Sequence, residues 1–269
     1  MKMSSKIWFV GLLALCLAMG PSVPCRAETV DLVIYYDYTP WYFNSDRKLG
    51  MNAELARRLT ALSKGKYEFH SAYIPRLRVD LMLANGRQMV VPWVNPAFFN
   101  DTEKTKYLWT DPLMQDEALI VSSKQTPIEY DGPNSLRGRR LSAPVGHVFR
   151  PLSPLIDAKE IYREDAPNVV SALRKLLAPR NLDFAVVDRS VFNALKADNT
   201  IDMSKFYISK TPMTPSFGRH IMVTKNSPEL FQFLSKAVAK LNSDKNWIDQ
   251  TISESVARTQ TPQTIGTDE

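Results

Sequence analysis

Tyr38, Trp41, Tyr42 and Phe43 crowd into the short run from Asp37 to Phe43, directly after a β-branched and aromatic stretch from Val30 to Tyr36. Flat rings with polar edges can sandwich a ring, an aliphatic stem or a cation. Ligands of open α/β sheets lie beyond the carboxyl ends of strands, so this turn, Asp37 included, stands where a small molecule would be held. The competing expectation is that Trp41 and Phe43 are core aromatics beneath the turn. Asp188 ends a second strand-like run, Asp183 to Val187. A carboxylate there can hold a cation through a charge-assisted hydrogen bond, or cap the helix that follows. Arg76, just after Pro75, offers a cation to a solute or to Asp80 one helical turn later. Trp93 at a strand end offers a wall, and Asn95 and Phe98 on the next loop are comparable positions.

These residues need a scaffold, and the sequence supplies one. Val30 to Tyr36 reads as a buried strand closed by Asp37-Tyr-Thr-Pro40. Met51 to Lys64 sets Met51, Leu55, Leu59 and Leu62 on one helical face. Pro75 opens another helix and Gly86 ends it, with Gln88 to Trp93 as the next strand. Ala118 to Ser122 and Leu141 to Val145 are strand-like. Pro167 to Ala178 is expected helical with Val170, Leu173 and Leu177 inward. Asp183 to Val187, Phe206 to Ser209 and His220 to Thr224 are expected strands, and Arg189 to Ala197 a short helix. Ser227-Pro228 is expected to cap a last helix that buries Leu230, Leu234, Val238 and Leu241. Such alternation predicts an α/β fold with mainly parallel sheets flanked by helices. Lys124 to Arg140 and Thr211 to Gly218 interrupt it, which suggests two lobes joined by two crossings.

The 269 residues are 44% hydrophobic and 23% charged, ordinary values for a packed chain. No G-x-S-x-G elbow, Walker loop or G-x-G-x-x-G turn occurs, so serine hydrolases, P-loop enzymes and dinucleotide binders lack their usual hardware. His70, His147 and His220 share no ligand spacing, so neither a metal nor a cofactor is expected. The basic run Arg137-Gly-Arg-Arg140 reads as a solvated loop, and no nucleic-acid partner is expected.

Residues 1–27 read as a secretory signal peptide. Lys2 and Lys6 precede an apolar run from Ile7 to Met19, too short for a span of about 20 residues, and Cys25-Arg-Ala27 gives a small-residue exit. Cleavage after Ala27 would remove both cysteines and three basic residues, lowering the net charge from +6 to +3. A thiol-free mature chain suits an oxidising compartment, so a periplasmic location is expected.

Several segments stand in a familiar order: Asp37-Tyr-Thr-Pro-Trp-Tyr-Phe43, Leu49-Gly-Met-Asn-Ala-Glu-Leu-Ala56, Leu83-Ala-Asn-Gly86 and Trp109-Thr-Asp-Pro-Leu113. Leu136-Arg-Gly138, Val145-Gly146, Leu182-Asp-Phe-Ala-Val-Val-Asp188 and Asn226-Ser-Pro-Glu-Leu230 continue it. Together they resemble the bacterial extracellular solute-binding proteins of family 3, typified by periplasmic receptors for polar amino acids. The resemblance implies a type II periplasmic-binding-protein fold with a two-segment hinge. Mapped here, lobe 1 is 28–120 plus 219–256, lobe 2 is 121–218, and 257–269 is a disordered tail. It further implies a monomer that closes around a small polar solute, amino-acid-like or cationic, and presents it to the permease of an ABC importer. The expected solute contacts are Asp37, Tyr38, Trp41, Arg76, Trp93, Asn95, Phe98 and Asp188; of these the resemblance matches Asp188 to the acid that pairs with a ligand ammonium.

Two departures stand out. Amino-acid-binding members carry an Arg eight residues before the aspartate matched by Asp111, and its fork holds the ligand carboxylate; Glu103 occupies that register, with Lys104 beside it. Gly146-His147-Val148 also lacks the hydroxyl residues that commonly follow this glycine. The resemblance leaves open a dehydratase on the same fold, with Glu103 or Asp188 as its acid, and a ligand sensor acting in trans on a membrane receptor.

Overall fold

Ten strands and seven α-helices follow one another among the described residues of the computed structural model, which are 26–43, 48–178, 182–244 and 246–260. Most of the expected signal peptide, residues 1–25, and residues 261–269 of the expected tail lie outside the described residues. In order the elements are β1 (Glu28–Ile34), α1 (Met51–Ser63), β2 (Tyr67–Tyr73), α2 (Arg76–Ala84), β3 (Val90–Val94) and β4 (Leu108–Trp109). Then come β5 (Met114–Ser123), β6 (Arg140–Pro144), α3 (Ser153–Asp157), β7 (Tyr162–Ala166), α4 (Val169–Leu177) and β8 (Phe184–Asp188). The chain finishes with α5 (Arg189–Asp198), β9 (Phe206–Ile208), β10 (Thr214–Val223), α6 (Pro228–Leu241) and α7 (Trp247–Gln260).

The strand path is β2-β1-β3-β10-β5-β8-β6-β7, with β4 on β10 and β9 on β5. At one end β2, β1 and β3 run parallel; at the other β7, β6 and β8 do. Between them β10 and β5 run antiparallel to each other and to the strands beside them. Each parallel set therefore gains one antiparallel strand, and the whole is a curled mixed sheet flanked by helices.

Helix α1 shows how the pattern becomes packing. Met51, Leu55 and Leu59 are wholly buried and Leu62 packs beside them against β1, α6 and α7. Burying each such side chain contributes about 1.5–3 kcal/mol, which outweighs the helix's lack of a side-chain cap at Gly50. Gly50 serves a different need. With φ at 129°, its missing Cβ would fall 2.3 Å from the Trp41 carbonyl oxygen, so only glycine lets α1 start against the aromatic turn.

Several expectations change. Of Thr211 to Gly218, expected to be irregular, Thr211 to Met213 are so, but Thr214 to Gly218 form the first half of β10; the register shifts between Thr214 and Phe217, which is where a strand tolerates Pro215. Helix α4 starts after Asn168, whose side chain accepts from Ser171 N–H, so Val169, Ala172, Leu173 and Leu176 face inward while Leu177 is 38% exposed. Ser227 precedes α6 but makes no side-chain cap bond. Residues 257–260, expected to be disordered, complete α7; Trp247, Thr251 and Ser255 recur every four residues and are buried, a stripe hidden by its polar members. Ala118 to Ile120 pair with β8 of the second parallel set.

Candidate functional site

Period-two alternation along β10 points Arg219, Ile221 and Val223 to one face, and the two apolar residues join the core of α1 and α6. Arg219 stands where that core meets the second parallel set, and its side chain is fully buried. Nε donates to Asp116 Oδ2 at 2.6 Å, Nη2 to Asp188 Oδ2 at 2.5 Å, and Nη1 to the Trp93 carbonyl at 2.8 Å and the Tyr36 hydroxyl at 3.4 Å. The guanidinium carbon lies 4.8 Å from the Trp41 ring centre, 5.4 Å from Phe217 and 5.6 Å from Tyr36. Two carboxylates, a carbonyl and three aromatic faces thus surround one planar cation.

Local backbone geometry builds this seat. Trp93 holds a left-handed φ of 65°, a conformation costing about 1–3 kcal/mol for a bulky residue, and its carbonyl is one of the acceptors. Gly218, next to Arg219, has no room for a Cβ, which would lie 2.7 Å from His220 Nε2 and 2.9 Å from Pro112 Cβ. Asp116 on β5 is fixed from the other side: it accepts Ser190 N–H at 3.1 Å, Ser190 Oγ–H at 2.6 Å and Glu117 N–H at 3.0 Å. It is therefore Asp116 that satisfies the N-terminus of α5. Asp188 precedes α5 without capping it, which removes the capping role suggested by its sequence position.

Burial opposes the charge on Arg219, yet Asp188, Tyr36 and Asp116 together hold its pKa well above the ordinary value. Burial also dominates at Asp188, raising its pKa to about 6, with Asp116 pushing the same way and Arg219 opposing. Asp188 keeps about a quarter of its side-chain surface open and uses one oxygen for Arg219.

A second set of contacts joins the two parallel sets further out. The Tyr38 hydroxyl lies 3.4 Å from His147 Nε2, and Arg150 Nε donates to the Ala97 carbonyl at 2.9 Å. Burial lowers the His147 pKa; Arg163 and Arg76 act in the same direction, while a backbone hydrogen bond at Val145 and the Asp37 charge oppose them. Arg163 donates to the carbonyls of His147 and Pro144, fixing that loop.

The structure gathers the expected contact residues into two groups. Tyr38, Trp41, Trp93 and Asp188 converge around Arg219, Tyr38 through its edge contact with Tyr36 at 5.9 Å. Trp41 and Trp93 are both fully buried, 5.4 Å apart, and belong to the core of the first parallel set as well as to the seat. Arg76, Asn95 and Phe98 form the outer group. Arg76 binds Asp80 at 2.9 Å and the Phe98 carbonyl at 2.6 Å, and lies 4.2 Å over the Phe99 ring. Asn95 caps its own turn at Ala97 N–H and donates to the Gly218 carbonyl at 2.9 Å, while Phe98 meets Phe217 edge-on at 5.6 Å. Asp37 is exposed. Glu103, the other expected acid, is exposed in a turn, and no contact joins it to Arg219 or its partners among the described residues.

Sequence reading missed Arg219, Asp116 and Ser190. A signal existed for the first: a lone arginine entering the apolar run His220 to Thr224 at the parity of its buried residues. Starting that strand at His220 left Arg219 just outside it. Two surface hollows lie elsewhere, about 530 Å³ beside α1 and β2 and about 220 Å³ beside Pro112 and Trp247. Neither touches both parallel sets with convergent charged groups, so the Arg219 cluster is the candidate site. Among the described residues no group of three or more His, Cys, Asp or Glu side chains could hold a metal ion.

No protein-family model matches the chain. A search of curated proteins finds no match. Solved structures do match. A mutant of arginine-bound ArgBP from T. maritima superposes with a TM-score of 0.61 at 16% identity, covering 79% of this chain and 95% of that one. The substrate binding protein of an amino acid ABC transporter gives 0.62 at 14% identity, covering 84% and 98%. An ancestral amino acid-binding protein described as a precursor of cyclohexadienyl dehydratase gives 0.60 at 15%, covering 84% and 94%. At such identities the likeness speaks for the fold, and this chain has the two-lobed α/β fold of type II periplasmic binding proteins.

Proposed function

We propose that this chain is a periplasmic solute-binding receptor that closes its lobes around a small polar, amino-acid-like solute and delivers it to an ABC importer. In this reading lobe 1 comprises the set around β1–β3 with α6 and α7, lobe 2 the set around β6–β8, and residues 1–27 direct export. The observation that carries it is Asp188, one oxygen of which accepts from Arg219 while about a quarter of its side-chain surface stays open. The second oxygen suits a solute ammonium. The Trp41 indole N–H and the Thr39 hydroxyl are buried without hydrogen-bond partners, at a cost of about 1–3 kcal/mol each. A solute carboxylate would satisfy them in place of the absent arginine fork. Tyr38, His147 and Arg150 then form the rim that shuts over the solute and excludes water. The neighbours that are named for amino-acid binding and amino acid transport support this reading.

A thermal-shift screen of the mature chain across the amino acids, polyamines, small carboxylates and peptides tests it. One solute class should raise the melting temperature saturably, following RT ln(1 + [L]/Kd). An unmoved melting temperature across the panel would overturn the reading.

Asp188, an acid titrating near 6, together with the dehydratase-precursor neighbour, favours a second reading as a dehydratase acting on cyclohexadienyl acids. Mass-spectrometric detection of product from prephenate or arogenate would establish it, and unchanged substrate would retire it.

A further inference from the structure

The Arg219 guanidinium is held as a bound solute would be held. Four of its N–H groups have acceptors, two of them carboxylates from different elements, and aromatic rings lie near its planar group. No part of the side chain is exposed. A surface arginine keeps hydration and rotamer freedom; this one has lost both, and every partner around it selects for a planar, five-donor cation over a compact ammonium. Four of its five donors are committed, so it does not supply a fork for a solute carboxylate without leaving two acids uncompensated.

We infer that Arg219 is a specificity-determining residue: its guanidinium is a tethered occupant of a cation seat formed by Asp116, Asp188 and Trp41, and it excludes guanidinium-bearing solutes from this chain. The inference rests on the interlobe site proposed above and narrows its solute class. What is left for a solute is the second oxygen of Asp188 and the unpartnered donors of Trp41 and Thr39, a set suited to a small zwitterion whose side chain carries no guanidinium.

Chemical rescue tests it on the full mature chain. Arg219→Ala removes the atoms of ethylguanidinium and keeps Cβ, so that cation fits the space vacated. Millimolar ethylguanidinium should raise the melting temperature of Arg219→Ala saturably, by several degrees, and leave the wild type unmoved; ethylammonium should move neither. L-arginine titrated into wild type should release no binding heat. Ethylguanidinium acting equally on both proteins, or on neither, overturns the inference, as does binding of L-arginine to wild type. Where Arg219→Ala is unfolded alone, refolding is followed by near-ultraviolet circular dichroism. Native signal recovered only with ethylguanidinium supports the seat, and none recovered overturns it. The two proposals fail separately. Rescue of the variant with a wild type that answers no solute leaves the seat and removes the receptor, whereas L-arginine binding to wild type does the reverse.

Discussion

The seat around Arg219 and the rim around Tyr38 both bridge the two parallel sets, yet they are built on opposite principles. At the seat, ion-pair bonds of 2.5 and 2.6 Å hold a fully buried guanidinium, and removing either carboxylate weakens the compensation of a buried charge. At the rim the Tyr38 to His147 contact is 3.4 Å, Arg150 reaches a backbone carbonyl from an exposed position, and Val148 is 69% exposed. Water replaces such contacts at little cost. The difference makes the seat the costly region to disturb and the rim the cheap one.

Breaking the seat should give the largest effect. Asp116→Ala removes the acceptor of Arg219 and of both Ser190 donors, and urea denaturation should show a loss of about 3–5 kcal/mol. A loss below about 1 kcal/mol would show that the two regions do not differ as described.

The pH dependence comes next. An unfolded Asp188 releases its proton near 4, whereas the folded one retains it to about 6. In that window the folded state binds more protons, so this group's contribution to stability falls as pH rises from about 4 through 6. Stability of wild type relative to Asp188→Asn should therefore decline across this interval, by roughly 1–3 kcal/mol, and be flat above about pH 7. A difference curve that rises with pH would contradict the burial-driven shift.

The rim should respond weakly. Tyr38→Phe should change the unfolding free energy by no more than about 0.5 kcal/mol while enlarging the radius of gyration in small-angle scattering. An unchanged radius would mean that Tyr38 does not hold the lobes together. The smallest effect is expected for Arg57→Ala: its side chain is exposed, its pair with Glu54 on the same helix contributes a few tenths of a kcal/mol, and the variant should melt within about two degrees of wild type.

The layers of the fold were legible because local pattern and burial agree. The stripe of Met51, Leu55 and Leu59, the proline at 75 and the hydrophobic run ending at Asp188 each read the same way in sequence and in space. The site was legible in part. Trp41, Trp93 and Asp188 are signalled by strand ends, which a chain displays locally. Arg219 and Asp116 meet across 103 residues, and neither has a spacing that announces the other. Asp188 illustrates the limit: its position before a helix pointed to capping, but Asp116, 74 residues from Ser190, fills that role from an adjacent strand. Strand β10 was read too short for a local reason, since Pro215 and Gly218 resemble loop punctuation and only its pairing with β5 shows a continuous strand.

Strands β5 and β10 pass unbroken from one half of the sheet to the other, hydrogen-bonded to each other on the way at Gly218 and Gln115. In the proposed closure this joint would act as a leaf spring instead of a pin: a swing of the halves would twist a paired ribbon, so peptide ladders would set its stiffness and return it elastically to rest.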